Sequence, residues 1–240
     1  MFVYLVEIGG YGVPIFGFIV ALAFLGSVEV FKTRVAPTLS YKTAETLAVS
    51  TIVVGLLGAK VWFELFYSPK PFETFFLPAG IVFHGGFIFG LIYFTVWCWI
   101  KKIPTAAAFN PASMAVLFGY AVGRLGCQLS GDGDYGLPTT FWLSMKYPSG
   151  VVPTSDTVYP TPVFESLFCM AWFILANRFF KDQDNLKPTG FVLIGLAFER
   201  FFIEFIRRNK PVIFNLTDAQ IFSVALFVIG TTLILKKTLR

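Results

Sequence analysis

Four side chains that are able to do chemistry lie within or beside long apolar runs of this sequence: His84, Arg124, Arg200 and Glu204. A charge inside an apolar membrane span costs about 2.5–3.5 kcal/mol on insertion scales, so each such charge is a functional candidate. Arg200 and Glu204 are four residues apart and therefore share one face of a helix. A guanidinium binds phosphate oxygens in pairs and keeps its charge where water is scarce. The chemistry predicted for Arg124 and Arg200 is the binding of an anion such as a lipid phosphate.

His84 is the only histidine and precedes Gly85 and Gly86. Imidazole is the one side chain whose unperturbed pKa lies near neutrality, which suits a general base. The two glycines let a backbone or a ligand approach closely. Two interpretations stay open, a catalytic or ligand-binding group and a packing residue.

The stretch from Gly123 to Gly136, GRLGCQLSGDGDYG, holds five glycines and two aspartates. It is too polar and too flexible for an ordinary membrane helix. Irregular backbone near a bilayer is tolerated where it is buried in protein or lines a wet cavity. We therefore predict that it forms the non-helical wall of a polar site, with a plain loop outside the membrane as the alternative.

Other site classes fit the sequence poorly. A calcium loop that begins at Asp132 would need a glutamate eleven residues later, where Leu143 stands. No lysine followed by serine or threonine closes the glycine-rich stretch, as a phosphate loop requires. One histidine with scattered cysteines does not suggest zinc. We expect no metal and no cofactor.

The composition points to a lipid environment. The chain has 240 residues, 56% hydrophobic and 14% charged, with a mean hydropathy of +0.72, whereas a soluble domain has roughly 25% charged residues. We predict an all-α, polytopic integral membrane protein with about seven spans, residues 1–240 forming a single transmembrane domain. The net charge of +5 fits basic inner loops better than a nucleic-acid partner.

Each predicted span is an apolar run bounded by charged or proline-containing segments. The spans are Gly12–Phe31, Glu45–Phe66, Ala79–Ile100, Thr105–Val122, Pro160–Phe180, Thr189–Ile206 and Thr217–Leu235. With the amino terminus outside and the carboxy terminus inside, eleven basic residues lie on the inner side and seven on the outer side. This orientation makes residues 123–159 a polar extracytoplasmic segment.

Two pairs within the spans have a plainer interpretation. Lys60 and Glu64 share a helix face, as do Arg200 and Glu204. Each pair could simply neutralise itself and stabilise packing. For the second pair, Arg207 and Arg208 extend the positive charge, which favours an anion site.

A set of short motifs runs through nearly the whole chain. They are Tyr11-Gly12, Gly58-Ala59-Lys60, His84-Gly85-Gly86, Gly123-Arg124-Leu125-Gly126 with its tail to Gly136, Pro138-Thr139, Pro160-Thr161-Pro162 with Glu165, and Arg200 with Glu204. In this order they resemble the prolipoprotein diacylglyceryl transferase family of bacterial inner-membrane enzymes with seven spans. Each motif alone would be a weak signal.

The resemblance implies transfer of the diacylglyceryl group of phosphatidylglycerol to the lipobox cysteine thiol of a preprolipoprotein, with glycerol phosphate leaving. It implies no cofactor and no nucleic-acid partner. The catalytic residues it implies are His84, Arg124, Arg200 and Glu204. The substrate-binding residues it implies are Tyr11, Gly85, Gly86, Gly123, Gly126, Cys127, Asp132, Asp134, Gly136 and Glu165.

Some positions depart from the pattern of the family. Cys127 stands where asparagine is common, Tyr159 where histidine is frequent, and Lys60 where arginine is frequent. Asp132 and Asp134 compete for one acidic position and cannot be aligned uniquely. The departures at Cys127 and Tyr159 leave open an inactive relative that binds lipid. A small transporter, with the polar residues of the spans lining a path, is the other open alternative.

Overall fold

Helices make up most of the chain. The computed structural model describes residues 3–9, 11–36, 38–68, 75, 80, 82–180 and 185–236. Within these residues lie seven α-helices, α1 (Ile15–Val35), α2 (Tyr41–Phe66), α3 (Phe83–Ile100), α4 (Thr105–Ser130), α5 (Thr161–Phe179), α6 (Lys187–Ile203) and α7 (Asp218–Leu235). A short 3₁₀ turn, Glu204–Ile206, follows α6. The predicted all-α membrane fold is confirmed.

Four of these helices, α1, α2, α4 and α7, are long and apolar enough to cross a bilayer, and α3 is a shorter apolar helix. The 21 residues of α1 extend about 32 Å at 1.5 Å per residue, which matches a hydrocarbon core of about 30 Å. The helix starts are fixed locally. Ser40 caps α2 by accepting a hydrogen bond from the Thr43 amide, and Thr217 and Gln220 form a capping box at α7.

The prediction that the backbone becomes irregular at Gly123 is wrong. Helix α4 continues through Arg124 and Cys127 to Ser130. It ends at Gly131, which has a φ of +59° and donates its amide to the Cys127 carbonyl at 3.0 Å. A left-handed glycine is a common way to end a helix. The glycine count was therefore misleading, because only the glycines after Ser130 leave the helix.

Two short hairpins add strands that the sequence analysis did not predict. The first pairs β1 (Tyr4–Ile8) with β2 (Tyr11–Pro14), so α1 begins at Ile15 and not at Gly12. The second pairs β3 (Met145–Tyr147) with β4 (Thr154–Val158). The predicted start of the third span at Ala79 and the last four residues of the chain lie outside the described residues.

The second hairpin is packed by aromatic rings. Tyr135 stacks on Tyr147 with ring centroids 4.7 Å apart, and both rings are buried with Val158. The Tyr147 hydroxyl donates to Gln128 Oε1 at 2.9 Å. Burial raises the pKa of Tyr147 to about 12, although this hydrogen bond lowers it. The hydroxyl therefore remains a donor that ties the hairpin to the end of α4.

The chain forms two compact units, Met1–Val30 with Phe109–Arg240, and Phe31–Ala108. The core of the first unit lies among α4, α5 and α6, where Leu117, Cys169 and Val192 are fully buried. Trp172 of α5 stacks on Phe191 of α6 at 4.5 Å and donates its indole N–H to the Phe191 carbonyl. These contacts fix α5 against α6 and so position the polar residues at their ends.

In the second unit, α2 packs on α3 through glycines. A side chain at Gly85 would approach the Gly58 carbonyl to 2.8 Å, and one at Gly86 would approach the Gly55 carbonyl to 3.1 Å. Such distances are too short for an ordinary Cβ contact. The two glycines of the His84 motif therefore permit close approach of the α2 backbone.

Candidate active site

Three arginines converge on one buried carboxylate in the first unit. Glu165, in the second turn of α5, is 0% exposed. It accepts hydrogen bonds from Arg200 Nη1 at 3.2 Å and from Arg207 Nη1 at 3.0 Å. Arg124 of α4 donates to its other oxygen. Glu165 thus joins a guanidinium from α4, one from α6 and one from the segment after α6.

Asp134 bridges two of these arginines. Its Oδ2 lies 2.5 Å from Arg124 Nη1 and its Oδ1 lies 2.6 Å from Arg207 Nη2. Burial would raise the pKa of Asp134, but the charges of Arg124 and Arg207 and the hydrogen bonds they donate hold that pKa below its ordinary value. Burial would lower the pKa of Arg207, but the charges of Glu165 and Asp134 and the hydrogen bond to Asp134 raise it overall. Both groups are therefore ionised at neutral pH.

The backbone around Asp134 holds this carboxylate in place. The Thr161 hydroxyl, at the start of α5, donates to the Asp134 carbonyl at 2.6 Å. The Asp134 amide donates to Asp132 Oδ1 at 3.2 Å. Of the two aspartates, Asp134 is the one that accepts hydrogen bonds from the arginines, and Asp132 instead supports its backbone.

Glu204 forms the third acidic contact of the cluster. Its Oε2 lies 3.3 Å from Arg200 Nη2, as their spacing predicts, and 3.9 Å from Arg207 Nε. Asn209 donates to its Oε1 at 2.5 Å. Arg200 is thus held between Glu165 and Glu204.

We call Arg124, Arg200, Arg207, Asp134, Glu165 and Glu204 the arginine cluster. Three guanidiniums face three carboxylates, so the cluster is formally neutral, as buried ions require. The side chain of Arg200 is 27% exposed, against 11% for Arg124 and 8% for Arg207. All three guanidiniums are held by carboxylates, and Arg200 is the one most open to an anion.

The glycine-rich stretch supplies Arg124 and Asp134 to the cluster, and two more of its residues pack beside it. Cys127, one turn beyond Arg124 on α4, accepts a hydrogen bond from Arg124 Nη1 at 3.4 Å. Gly136 lies against the end of the 3₁₀ turn, where a side chain would collide with the Ile206 carbonyl. The Leu137 amide donates to that carbonyl at 2.8 Å. Gly136 is thus required by packing, and it ties the stretch to the segment that carries Arg207.

The ligand atoms of Cys127, Asp132 and Asp134 lie within 4.8 Å of one another. Both oxygens of Asp134, however, already accept from arginines. Adjacent guanidinium charges also disfavour a cation. The side chains of this group therefore fit an ion-pair network better than a metal site.

The other predicted site residues lie in the following elements. Gly123 and Gly126 lie within α4, and Tyr11 begins β2. His84 is an exposed residue in the first turn of α3 and belongs to the second unit. It is therefore not among the side chains that the first unit brings together.

Two buried residues of this region were not among the predicted site residues. Arg207, which the sequence suggested only as an extension of the positive charge, is buried. Its position seven residues after Arg200 and three after Glu204 was a usable signal, since these spacings share a helix face. Glu199 is also buried, and its two carboxyl oxygens have no hydrogen-bond partner among the described residues. It lies next to Arg200 on α6, and no spacing signal identified it.

Comparison with known proteins provides independent information. The model of a family described as prolipoprotein diacylglyceryl transferase matches residues 3–236. The chain is 33% identical over 155 residues to a phosphatidylglycerol–prolipoprotein diacylglyceryl transferase of Leptospira interrogans, a match that covers 62% of this chain and 48% of the relative. This chain thus spans about half the length of that relative.

Two further relatives with the same printed name are matched over more of their length. The protein from Wolbachia pipientis is 30% identical over 203 residues, covering 78% of this chain and 75% of the relative. The protein from Finegoldia magna is 26% identical over 238 residues, covering 96% and 93%. These matches include both units of the chain.

Proposed function

Because this chain belongs to the prolipoprotein diacylglyceryl transferase family, we propose that it transfers the diacylglyceryl group of phosphatidylglycerol to the lipobox cysteine thiol of a preprolipoprotein. The reaction forms a carbon–sulfur bond, breaks the carbon–oxygen bond to phosphate and releases glycerol phosphate. The observation that supports the proposal is the convergence of Arg124, Arg200 and Arg207 on the buried Glu165.

In this proposal, Arg200 binds the donor phosphate, because it is the most exposed of the three guanidiniums. Arg124 adds positive charge as negative charge accumulates on the departing phosphate. Asp134, Glu165 and Glu204 keep the guanidinium planes fixed, so little reorganisation accompanies the reaction. The planar guanidinium of arginine binds phosphate oxygens in pairs and so suits phosphate binding better than the point charge of a lysine ammonium.

The acceptor thiol must lose its proton, because the thiolate is the nucleophile. We assign this step to His84, because an imidazole can act as a general base. The proton finally leaves on glycerol phosphate. This assignment rests on the family resemblance and on imidazole chemistry.

We propose the bacterial inner membrane as the location, with the amino terminus outside and the carboxy terminus inside. The excess of basic residues in the inner loops supports this orientation. The non-helical part of residues 123–159 then faces outward, and residues 1–240 act as one transmembrane domain. Donor and acceptor enter sideways from lipid.

The test is transfer by the purified protein in vesicles that contain phosphatidylglycerol, with a lipobox peptide as acceptor. We expect the peptide to gain the mass of a diacylglyceryl group while glycerol phosphate is released. Arg200→Lys should lower the rate about a hundred-fold. Arg178→Lys, at the exposed end of α5, should leave it unchanged. Binding of phosphatidylglycerol without transfer would instead identify a lipid-binding relative.

A further inference from the structure

Three consecutive apolar residues stand exposed between the 3₁₀ turn and α7. The exposed fractions of Val212, Ile213 and Phe214 are 69%, 55% and 92%. We call Val212–Phe214 the tip. Exposed apolar side chains on the membrane helices face lipid, but the tip lies in a connection, where water is the ordinary neighbour. Its composition therefore calls for a partner.

Backbone hydrogen bonds between Val212–Ile213 and Leu216 close this connection into a turn. The Val212 amide donates to the Leu216 carbonyl at 2.8 Å, and the Leu216 amide donates to the Ile213 carbonyl at 2.8 Å. Irregular backbone enters a lipid environment only where its polar groups are paired. A closed turn of this kind is suited to contact with lipid.

The tip is also conformationally strained. Phe214 has a φ of 47° and Asn215 a φ of 57°, in the left-handed region that asparagine tolerates and bulky residues avoid. Packing within the protein does not offset the strain at Phe214, because its ring is almost fully exposed. Burial of the ring in an apolar medium outside the protein would offset it.

The charges beside the tip indicate which surface it meets. Residues 207–217 contain Arg207, Arg208 and Lys210 and no acidic residue. The Arg208 guanidinium lies over the Tyr135 ring, 4.8 Å from its centroid, and Arg208 and Lys210 are both exposed. An apolar tip beside an exposed lysine is complementary to a surface of anionic phospholipid.

We propose that the tip inserts into the headgroup region of an anionic lipid surface. A cavity of about 290 Å³ adjoins it, lined by Pro211 and Asn215 of the same connection and by Glu204 and Arg207 of the arginine cluster. Insertion of the tip places this cavity at the level of the lipid headgroups. The inference concerns membrane contact and does not depend on the proposed transfer reaction.

The experiment attaches an environment-sensitive fluorophore to Phe214→Cys in the full chain. The native Cys98, Cys127 and Cys169 are buried, and labelled wild-type protein corrects for any reaction with them. The matched control is Ser155→Cys, at an exposed polar position of β4. In vesicles of phosphatidylcholine and phosphatidylglycerol, we expect blue-shifted emission at position 214. Quenching by lipids spin-labelled near the headgroup should be about two-fold stronger there than at position 155.

Lys210→Glu should weaken that quenching in vesicles with phosphatidylglycerol and leave it unchanged in phosphatidylcholine alone. Equal quenching at positions 214 and 155, with equal access of aqueous iodide, would overturn the proposal. So would protection from iodide that appears only when a lipobox peptide is added, because the tip would then contact the acceptor. Transfer activity is measured separately, so a protein that lacks it can still show the lipid contact.

Discussion

Arg207 Nη2 lies 2.6 Å from Asp134 Oδ1, which joins two residues 73 positions apart in the chain. The same guanidinium reaches Glu165. A buried arginine that joins a loop carboxylate to a helix carboxylate fixes the end of α6 against the segment that follows α4. Arg207 therefore holds the two carboxylates, Asp134 and Glu165, that contact the other arginines of the proposed phosphate site.

Arg207→Lys should destabilise the protein by about 3 kcal/mol or more, because an ammonium cannot reach both Asp134 and Glu165 in the geometry of the fork. Thermal unfolding in detergent measures this loss, and transfer activity should fall with it. Arg178→Lys is the matched exposed control. An unchanged unfolding midpoint for Arg207→Lys would show that charge alone is sufficient at this position.

Asp134→Asn should change how stability depends on pH. The pKa of Asp134 is held below its ordinary value of 3.8 by Arg124 and Arg207, in spite of burial. The ionised group therefore contributes to the free energy of unfolding above about pH 3.8, and the contribution is lost as the pH falls through the lowered pKa. The unfolding midpoint of Asp134→Asn should be lower at neutral pH and should decline less on acidification.

The control for this measurement is Asp156→Asn, at an exposed position of β4. It should behave as wild type across the pH range. Parallel pH curves for Asp134→Asn and wild type would mean that the contacts of Asp134 contribute no net stability.

The double variant Arg200→Leu with Glu204→Leu tests whether Arg200 only neutralises Glu204. Replacement of a buried ion pair by apolar groups is often neutral for stability, and Arg124 and Arg207 still satisfy Glu165. We expect a folded protein that transfers no lipid. If this variant transferred lipid at the wild-type rate, Arg200 would not be part of the proposed phosphate site.

Glu199→Met should stabilise the protein by about 1–3 kcal/mol, because it removes a buried carboxyl group that has no hydrogen-bond partner among the described residues. Glu199→Gln keeps a polar group there and should bring no comparable gain. Unfolding midpoints compare the two variants. A less stable Glu199→Met protein would show that the carboxyl group has a favourable partner in the membrane.

His84→Ala should abolish transfer to a lipobox peptide, because the chain contains no other histidine. The side chain is exposed, so the unfolding midpoint should stay close to that of wild type. Activity is measured with phosphatidylglycerol as the donor. A rate within a few-fold of wild type would require another base for the thiol.

The sequence by itself determined the helical membrane fold, because apolar runs of about 20 residues leave few other ways to satisfy the backbone in lipid. It also determined the pairing of Arg200 with Glu204, since a four-residue spacing on a helix is a local relationship. The motifs that resemble those of the family predicted Arg124 and Glu165 as site residues. All of these features depend on neighbours close in the chain or on single motifs.

Only the tertiary structure decided which carboxylates the arginines contact. The distances from Glu165 to Arg124, Arg200 and Arg207 depend on how α5 packs against its neighbours, and no local spacing specifies them. The choice of Asp134 over Asp132 depends on the Thr161 contact across the chain. The tertiary structure also decided that α4 continues through Arg124 to Ser130. A glycine in a helix is disfavoured by only about 1 kcal/mol, and tertiary packing readily offsets that cost.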